Sequence, residues 1–370
     1  MFENRNRPLV PYYIRDLQGY VPGKTIEEVK KAYKPGKISK LASNENRLGC
    51  SPQVKEAVLE QFQEIQDYPD AISRKLRGRL AEKHGVKPEN IVVAAGSESV
   101  ISIICRTFFL NDDVAISADA TFVGFFVQAN VRGIKLKKVP LTDDYRFDLD
   151  AMLEAVTDRT KMIYIANPNN PTGTYITDDE FEDFLQRLPS DILVVMDEAY
   201  IEYAEGVKDY PDSLTYKEDN VITLRTFSKA YGLAGLRIGY GVAHEDLISH
   251  MQKTKLTFEP TAMAQEGAMA ALDDQAFLER SRQMVSEGRE RLYRFFEKQG
   301  IKYVPSISNA VLMVLPTEEE ARQFTQSMME EGVILRRVGG FGLPNCIRIT
   351  IGTEEEMDHF EESFDKVFVS

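Results

Sequence analysis

Six short apolar runs between residues 91 and 243 limit what this chain can fold into more than any other feature. They are IVVAA (Ile91 to Ala95), VAIS (Val114 to Ser117), MIYIA (Met162 to Ala166), ILVVM (Ile192 to Met196), VITL (Val221 to Leu224) and IGYGVA (Ile238 to Ala243). Several are apolar at consecutive positions, the pattern of strands covered on both faces. Helical periodicity lies between some of them, as at Asp178 to Leu188, and Gly96-Ser97-Glu98 opens a helical pattern running toward Phe109. This alternation predicts an α/β domain with a mostly parallel central sheet.

The flanking segments differ in style. The first forty residues are rich in Pro, Gly and Tyr with little periodicity, which predicts an extended arm. Apolar residues at three-to-four spacing predict helices at about Ser51 to Glu64 and Ser73 to His84. Helical character dominates from about Asp246 to Gly300. Then come AVLMVL (Ala310 to Leu315), a helical stretch from Glu318 to Glu331, VILR (Val333 to Arg336), IRITIG (Ile347 to Gly352) and a last helix with Met357, Phe360, Phe364 and Val367 on one side. This tail predicts a small α+β domain. A chain of 370 residues exceeds what one core usually organises. The expected division is an arm over 1–40, a large domain over 41–260, and a connecting helix with the small domain over 261–370.

Charge and composition exclude several classes. Against 45 basic residues stand 58 acidic ones, a formal charge of −13, which argues against a broad nucleic-acid surface. A site for an anionic ligand must then be a local concentration of donors. Cys50, Cys105 and Cys346 have no CxxC spacing, as in free thiols of a reducing compartment. His84, His244, His250 and His359 form no metal-binding pair, so no metal is expected. No apolar run is long enough to span a bilayer and the N-terminus carries no signal pattern. The expected location is the cytoplasm.

In open α/β sheets ligands collect at the carboxyl ends of strands, and four such ends here are polar. Gly96-Ser97-Glu98 follows IVVAA. The segment Asn167 to Gly173 (NPNNPTG) follows MIYIA. Asp197, Glu198 and Tyr200 follow ILVVM. Thr226, Ser228 and Lys229 follow VITL, with Arg237 downstream. Singly, each has a plain explanation: a helix cap, a turn, a loop carboxylate, a solvated lysine. The glycines between 232 and 241 lack dinucleotide-loop spacing and read as backbone packing.

Taken jointly and in this order, these segments resemble the fold-type I aminotransferases over almost the whole chain. LASNEN (Leu41 to Asn46), YPD (Tyr68 to Asp70), NPNNPTG, MDEAY and TFSKAYGLAGLRIGY (Thr226 to Tyr240) resemble the histidinol-phosphate aminotransferase family. YVPGKTIEEVK (Tyr20 to Lys30) and the GGFGLPNCIRITIG block sharpen that likeness. The resemblance implies a large pyridoxal 5'-phosphate-binding domain with a small α+β domain built from the C-terminal part and the arm. It also implies a homodimer, the arm packing on the small domain and the partner subunit.

The same resemblance assigns roles. Lys229 would hold the cofactor as a Schiff base in a ping-pong reaction and move the substrate proton. Asp197 would keep the ring nitrogen protonated. Asn170 and Tyr200 would bond the phenolic oxygen, and Phe122 would stack on the ring. The cofactor phosphate would lie on the backbone N–H groups of Gly96, Ser97 and Glu98, the hydroxyls of Thr226 and Ser228, and Arg237, with Tyr68 reaching it from the second subunit. Substrate would meet Tyr20, Asn46, Arg336 and Arg348, with Arg348 gripping the carboxylate. The implied substrates are L-histidinol phosphate with 2-oxoglutarate, giving imidazole acetol phosphate and L-glutamate. An aromatic or broad-specificity aminotransferase, a threonine-phosphate decarboxylase-like lyase and a non-catalytic binding module remain alternatives.

Some positions depart from the family pattern. Arg47 stands where Pro is usual after NEN, Ser99 closes the GSES segment where GSDE is common, and Ala120 replaces Pro before Thr121. Arg337 follows Arg336, leaving two arginines as candidate readers of the substrate phosphate.

Overall fold

The computed structural model describes residues 9–15, 17 and 23–368; Tyr20 lies outside them. Thirteen strands are present among these residues. They are β1 (Ser39–Lys40), β2 (Ile91–Ala94), β3 (Val114–Ala118), β4 (Lys135–Val139), β5 (Thr160–Ala166), β6 (Leu193–Asp197), β7 (Val221–Thr226), β8 (Gly239–Val242), β9 (Lys302–Val304), β10 (Ala310–Val314), β11 (Val333–Ile334), β12 (Arg336–Arg337) and β13 (Cys346–Thr350).

Seven strands form the central sheet in the order β2-β8-β7-β6-β5-β3-β4. The pairs β3/β4, β3/β5, β5/β6 and β6/β7 are parallel, whereas β8 runs antiparallel to both neighbours. The strands β2, β6, β7 and β8 are buried at every position, as expected of a sheet covered by helices on both faces. Strand β4, sequence KLKKV, escaped the apolar-run criterion. It is an edge strand whose Lys135, Lys137 and Lys138 are exposed, and lysines on an edge discourage pairing with other chains.

The second sheet is four-stranded, in the order β12-β13-β10-β9, and entirely antiparallel. The last helix, Glu354–Val367, buries Met357, Phe360 and Phe364 against it. The stretch expected to be helical from Asp246 to Gly300 is three helices, Glu245–Thr254, Ala262–Asp273 and Gln275–Gln299. Pro260 interrupts the first junction, and Thr261 and Asp274 cap the second and third helices through side chains that accept from Ala264 N and Phe277 N. Helix Ala262–Asp273 packs on helix Pro52–Gln61, so this part of the connection lies against the large sheet's side of the molecule.

The segment after the arm joins the two sheets. Strand β1 pairs in parallel with β11, Thr350 N donates to Leu41 O at 2.9 Å, and Asn309 Nδ2 donates to Asn44 O at 3.0 Å. The loop from Leu41 to Asn46 is thereby carried to the mouth of the large sheet by contacts with the small one.

Candidate active site

The carboxyl ends of β2, β5, β6 and β7 open into one cleft of about 580 Å³, counting its open mouth. Its walls bring together Gly96, Ser97, Glu98, Phe122, Asn170, Asp197, Tyr200, Thr226, Ser228, Lys229 and Arg237, with Ala166, Pro168 and Ala199 between them. Residues up to 141 positions apart in the chain meet here because parallel strands with returning helices bring all their carboxyl ends to one edge.

Asp197 ends β6 at the floor and is 4% exposed. Its Oδ2 accepts from Tyr164 Oη at 2.6 Å, while Oδ1 is buried without a hydrogen-bond partner among the described residues. Burial pushes the carboxyl up to about 6; the Tyr164 hydroxyl, the Ala199 N–H and the Lys229 ammonium pull the other way. A buried carboxylate oxygen with no donor is costly, and an N–H⁺ group placed in the cleft would satisfy it. Tyr164, in the middle of MIYIA, was indistinguishable from core in the sequence; it is fully buried and stacks on Phe125 at 4.2 Å.

The opposite end of the cleft is a donor cradle. Helix Ser97–Phe108 begins here, capped by Gly96 at φ 93°, a backbone conformation glycine adopts without strain. A Cβ on Gly96 would come within 2.9 Å of Arg237 Nη2, so a larger residue would push the guanidinium from this place. Likewise a Cβ on Gly239 would lie 2.6 Å from Ser97 N, and its absence lets β8 pass under the helix start. Of the three expected backbone donors, Gly96 N–H is turned inward to Ala94 O at 2.7 Å. The donors the helix offers are therefore those of Ser97 and Glu98, and Gly96 acts by what it lacks. Thr226 Oγ1 lies 3.1 Å from Ser228 Oγ, and Arg237 Nη1 donates to Ala234 O at 3.2 Å. Ser99 steadies the cradle: with Ala95 N it donates to Glu259 Oε1, at 2.6 and 2.9 Å.

Between these ends, Lys229 Nζ sits 5.4 Å from the centre of the Tyr200 ring. Arg348 is 5% exposed; its Nη1 donates to Asn170 Oδ1 at 2.5 Å and its Nη2 to Ala42 O at 2.7 Å. With Oδ1 so occupied, what Asn170 can still offer the cleft is its amide N–H donors.

The register of the small sheet separates the two candidate arginines. Arg336 lies opposite Arg348 across β12/β13, and both guanidiniums approach the Phe341 ring, at 5.9 and 5.7 Å. Arg337 falls on the other face, as strand alternation requires, and pairs with Glu318 at 2.8 Å. Arg336 makes no ion pair among the described residues, and its Nη1 lies close to Gly23, the first residue described after the segment containing Tyr20.

One position differs from expectation. Asn46 does not line the cleft: its Nδ2 donates to Ala230 O and Ser281 Oγ, both at 2.8 Å, so it braces the Lys229 loop from behind. The carboxamide of this loop that bonds a cleft-lining residue is that of Asn44, two residues earlier, on Tyr200. Tyr68 is 80% exposed and stacks on Phe258 at 4.3 Å, outside the cleft of its own chain. Behind the cleft lies a buried ion cluster that the strand pattern concealed: Arg225 pairs with Glu198 at 2.8 Å and with Asp212 at 2.6 Å.

Residues 36–364 match the family described as aminotransferase class I and II. The histidinol-phosphate aminotransferase of a Geobacillus species is 44% identical over 345 residues, covering 93% of either chain. That of Bacillus subtilis is 42% identical, covering 93% of this chain and 95% of its own. Among solved structures, histidinol-phosphate aminotransferase from Sinorhizobium meliloti in complex with pyridoxal-5'-phosphate superposes with a TM-score of 0.89 at 29% identity over 97% of both chains. The chain belongs to the histidinol-phosphate aminotransferase family.

Proposed function

We propose that this protein is a pyridoxal-phosphate-dependent aminotransferase that moves the amino group between L-histidinol phosphate and 2-oxoglutarate in histidine biosynthesis. The observation that carries the reading is Asp197: a buried carboxylate with one open oxygen, in the same cleft as a lysine and a helix-start anion cradle. Bound there, the cofactor supplies an electron sink for the bonds at the substrate's α-carbon. The chain supplies the rest. Asp197 holds a proton on the ring nitrogen, Asn170 and Tyr200 offer donors to the phenolic oxygen, and Phe122 covers a ring face. Ser97 and Glu98 N–H, Thr226, Ser228 and Arg237 take the phosphate. Lys229 Nζ holds the cofactor and carries the substrate proton.

Arg348 takes the substrate carboxylate, and Arg336, on the same face of the small sheet, takes the phosphate of histidinol phosphate. By the family likeness Tyr20 would share this role. The test is a panel assay. Glutamate with imidazole acetol phosphate gives 2-oxoglutarate, in preference to aromatic keto acids, and threonine phosphate releases no CO₂. In the same assay Arg336→Ala raises KM for histidinol phosphate by roughly 10- to 150-fold, the equivalent of about 1.5–3 kcal/mol for a lost charge-assisted contact, and leaves KM for glutamate nearly unchanged. Equal effects on both substrates remove Arg336 from the phosphate.

The active unit in this proposal is a homodimer. Leu59, Phe62, Ile65, Tyr68, Leu256 and Phe258 are all more than 40% exposed, an amount of apolar surface that suits burial by a second copy. Tyr68, held out by its stacking on Phe258, is then placed to reach the partner's cleft. Sedimentation equilibrium should give twice the chain mass, and Tyr68→Asp should lower it. The free thiols and small-metabolite substrates suit the cytoplasm.

A further inference from the structure

Asn44 has no part in the reading above, yet its side chain reaches the wall of the cleft. It is 2% exposed and its Nδ2 donates to Tyr200 Oη at 2.9 Å. Thr350 Oγ1 accepts from Asn44 N at 3.0 Å, so its own proton is available for Asn44 Oδ1, also at 3.0 Å. A hydroxyl gives one proton and accepts at two lone pairs; in the structure Thr350 gives its proton to Asn44 Oδ1, and Asn44 Nδ2 donates to Tyr200 Oη. Asn309 Nδ2 holds the Asn44 carbonyl at 3.0 Å. The backbone of Asn44 is left-handed, φ 55°, a conformation that Asn, Asp and Gly tolerate better than other residues.

An amide N–H₂ can only donate, so the Tyr200 oxygen accepts from Asn44 and must send its own proton elsewhere. Tyr200 is 3% exposed and lines the cleft beside Lys229. We propose that Asn44 is a positioning residue that, by donating to Tyr200 Oη, aims the tyrosine proton at the cofactor's phenolic oxygen and so sets the protonation of the Lys229–cofactor linkage. The proposal rests on the cofactor reading given above. A donor on the phenolic oxygen stabilises its negative charge and weakens its hold on the proton shared with the Lys229 nitrogen. With the cofactor bound, the Lys229 nitrogen would then give up its proton at lower pH. Since Thr350 stands on the same strand as Arg348, the small sheet sets this polarity through one asparagine.

The test is a pH titration of the bound cofactor's visible absorbance in the dimeric holoenzyme, with three substitutions. Asn44→Asp keeps the shape and the left-handed backbone but turns the partner into an acceptor, which draws the tyrosine proton away. The absorbance midpoint should rise by about one pH unit, the size of a lost hydrogen bond to an ionised oxygen. Asn44→Gly removes the donor without backbone strain and should raise the midpoint by less. In a Tyr200→Phe background, Asn44→Gly should move the midpoint no further, because its route is gone.

An unshifted midpoint in both Asn44 variants, or an equal shift with and without the Tyr200 hydroxyl, overturns the proposal. The unmodified protein separates this failure from that of the cofactor reading. If it acquires no visible band with pyridoxal phosphate, the cofactor reading falls and the proposal with it. If the band is present and the midpoint does not respond to Asn44, only the proposal falls.

Discussion

Lys229→Ala should abolish turnover and remove the visible band of the covalently held cofactor. Lys229 is the only lysine among the residues that line the cleft, and the other basic residue there, Arg237, cannot serve as a nucleophile because a guanidinium stays protonated. Loss of a positioned proton carrier alone is worth a factor of about 10²–10⁴, and the lost covalent attachment adds to it. Folding should survive the change. Lys229 makes no hydrogen bond or ion pair among the described residues, and its 5.4 Å contact with the Tyr200 ring is worth about 0.5–1 kcal/mol. The melting temperature of the cofactor-free variant should therefore stay close to that of the unmodified protein. Turnover within tenfold of the unmodified enzyme would remove Lys229 from the mechanism.

Several parts of this site that were legible in the sequence, Gly96 to Glu98, Asn170, Asp197 and Lys229 among them, follow an apolar run at the end of a strand. Such a strand announces itself by composition, and the polar residue after it lies at the sheet's edge; that Asp197 and Lys229 share one cleft was implied by the family resemblance. Without the family resemblance, residues that act from within a regular element were harder to find. Tyr164 sits inside MIYIA, where its ring reads as core and only its hydroxyl, on Asp197, does more. Arg225 follows an apolar run as Lys229 nearly does, but turns inward to Glu198.

The arm-proximal loop failed for a different reason. Its backbone turns left-handed at Asn44, so no periodicity tells which of the two asparagines in LASNEN bonds the cleft wall at Tyr200. Asn44 and Asn46 point opposite ways because the small sheet grips the loop at Thr350 and Asn309, partners some 260 to 310 positions away. Which faces Arg336 and Arg337 occupy could not be read before the pairing of β12 with β13 gave the register, since a shift of one residue on a strand exchanges its faces. Strand β4 went unseen because an exposed edge strand is selected for charge, which is what its lysines supply.

Asp197→Asn should separate what the cleft needs for chemistry from what the fold would prefer without it. A neutral amide cannot hold the ring nitrogen's proton as a carboxylate does, so turnover should fall by about 10²–10³, the usual scale for removing one preorganised electrostatic partner. Stability should move in the other direction. Burial pushes the Asp197 carboxyl up to about 6 from the 3.8 of a free carboxyl. Between those values the folded protein binds more protons at this site than the unfolded chain. The folded state is thus favoured at acid pH, and stability is lost as pH rises toward 6. Above pH 6 the carboxylate is ionised in both states and the burial penalty remains, on the order of 1–3 kcal/mol. The amide carries no such penalty and can still accept from Tyr164. At pH 7.5, with the cofactor removed, Asp197→Asn should therefore melt at a higher temperature than the unmodified protein, and the gap should close as pH falls below 5. Other titrating groups, such as Glu202, pushed up to about 7 by burial, are common to both proteins and drop out of the difference. Adding pyridoxal phosphate should reverse the order, because a protonated ring nitrogen satisfies Oδ1 only when Asp197 is a carboxylate. Scanning calorimetry at pH 5 and 7.5, with and without the cofactor, reads all four corners. A cofactor-free variant less stable than the unmodified protein at pH 7.5 would show that burial of Asp197 is already compensated by the protein, and that its open oxygen is not held in reserve for a ligand.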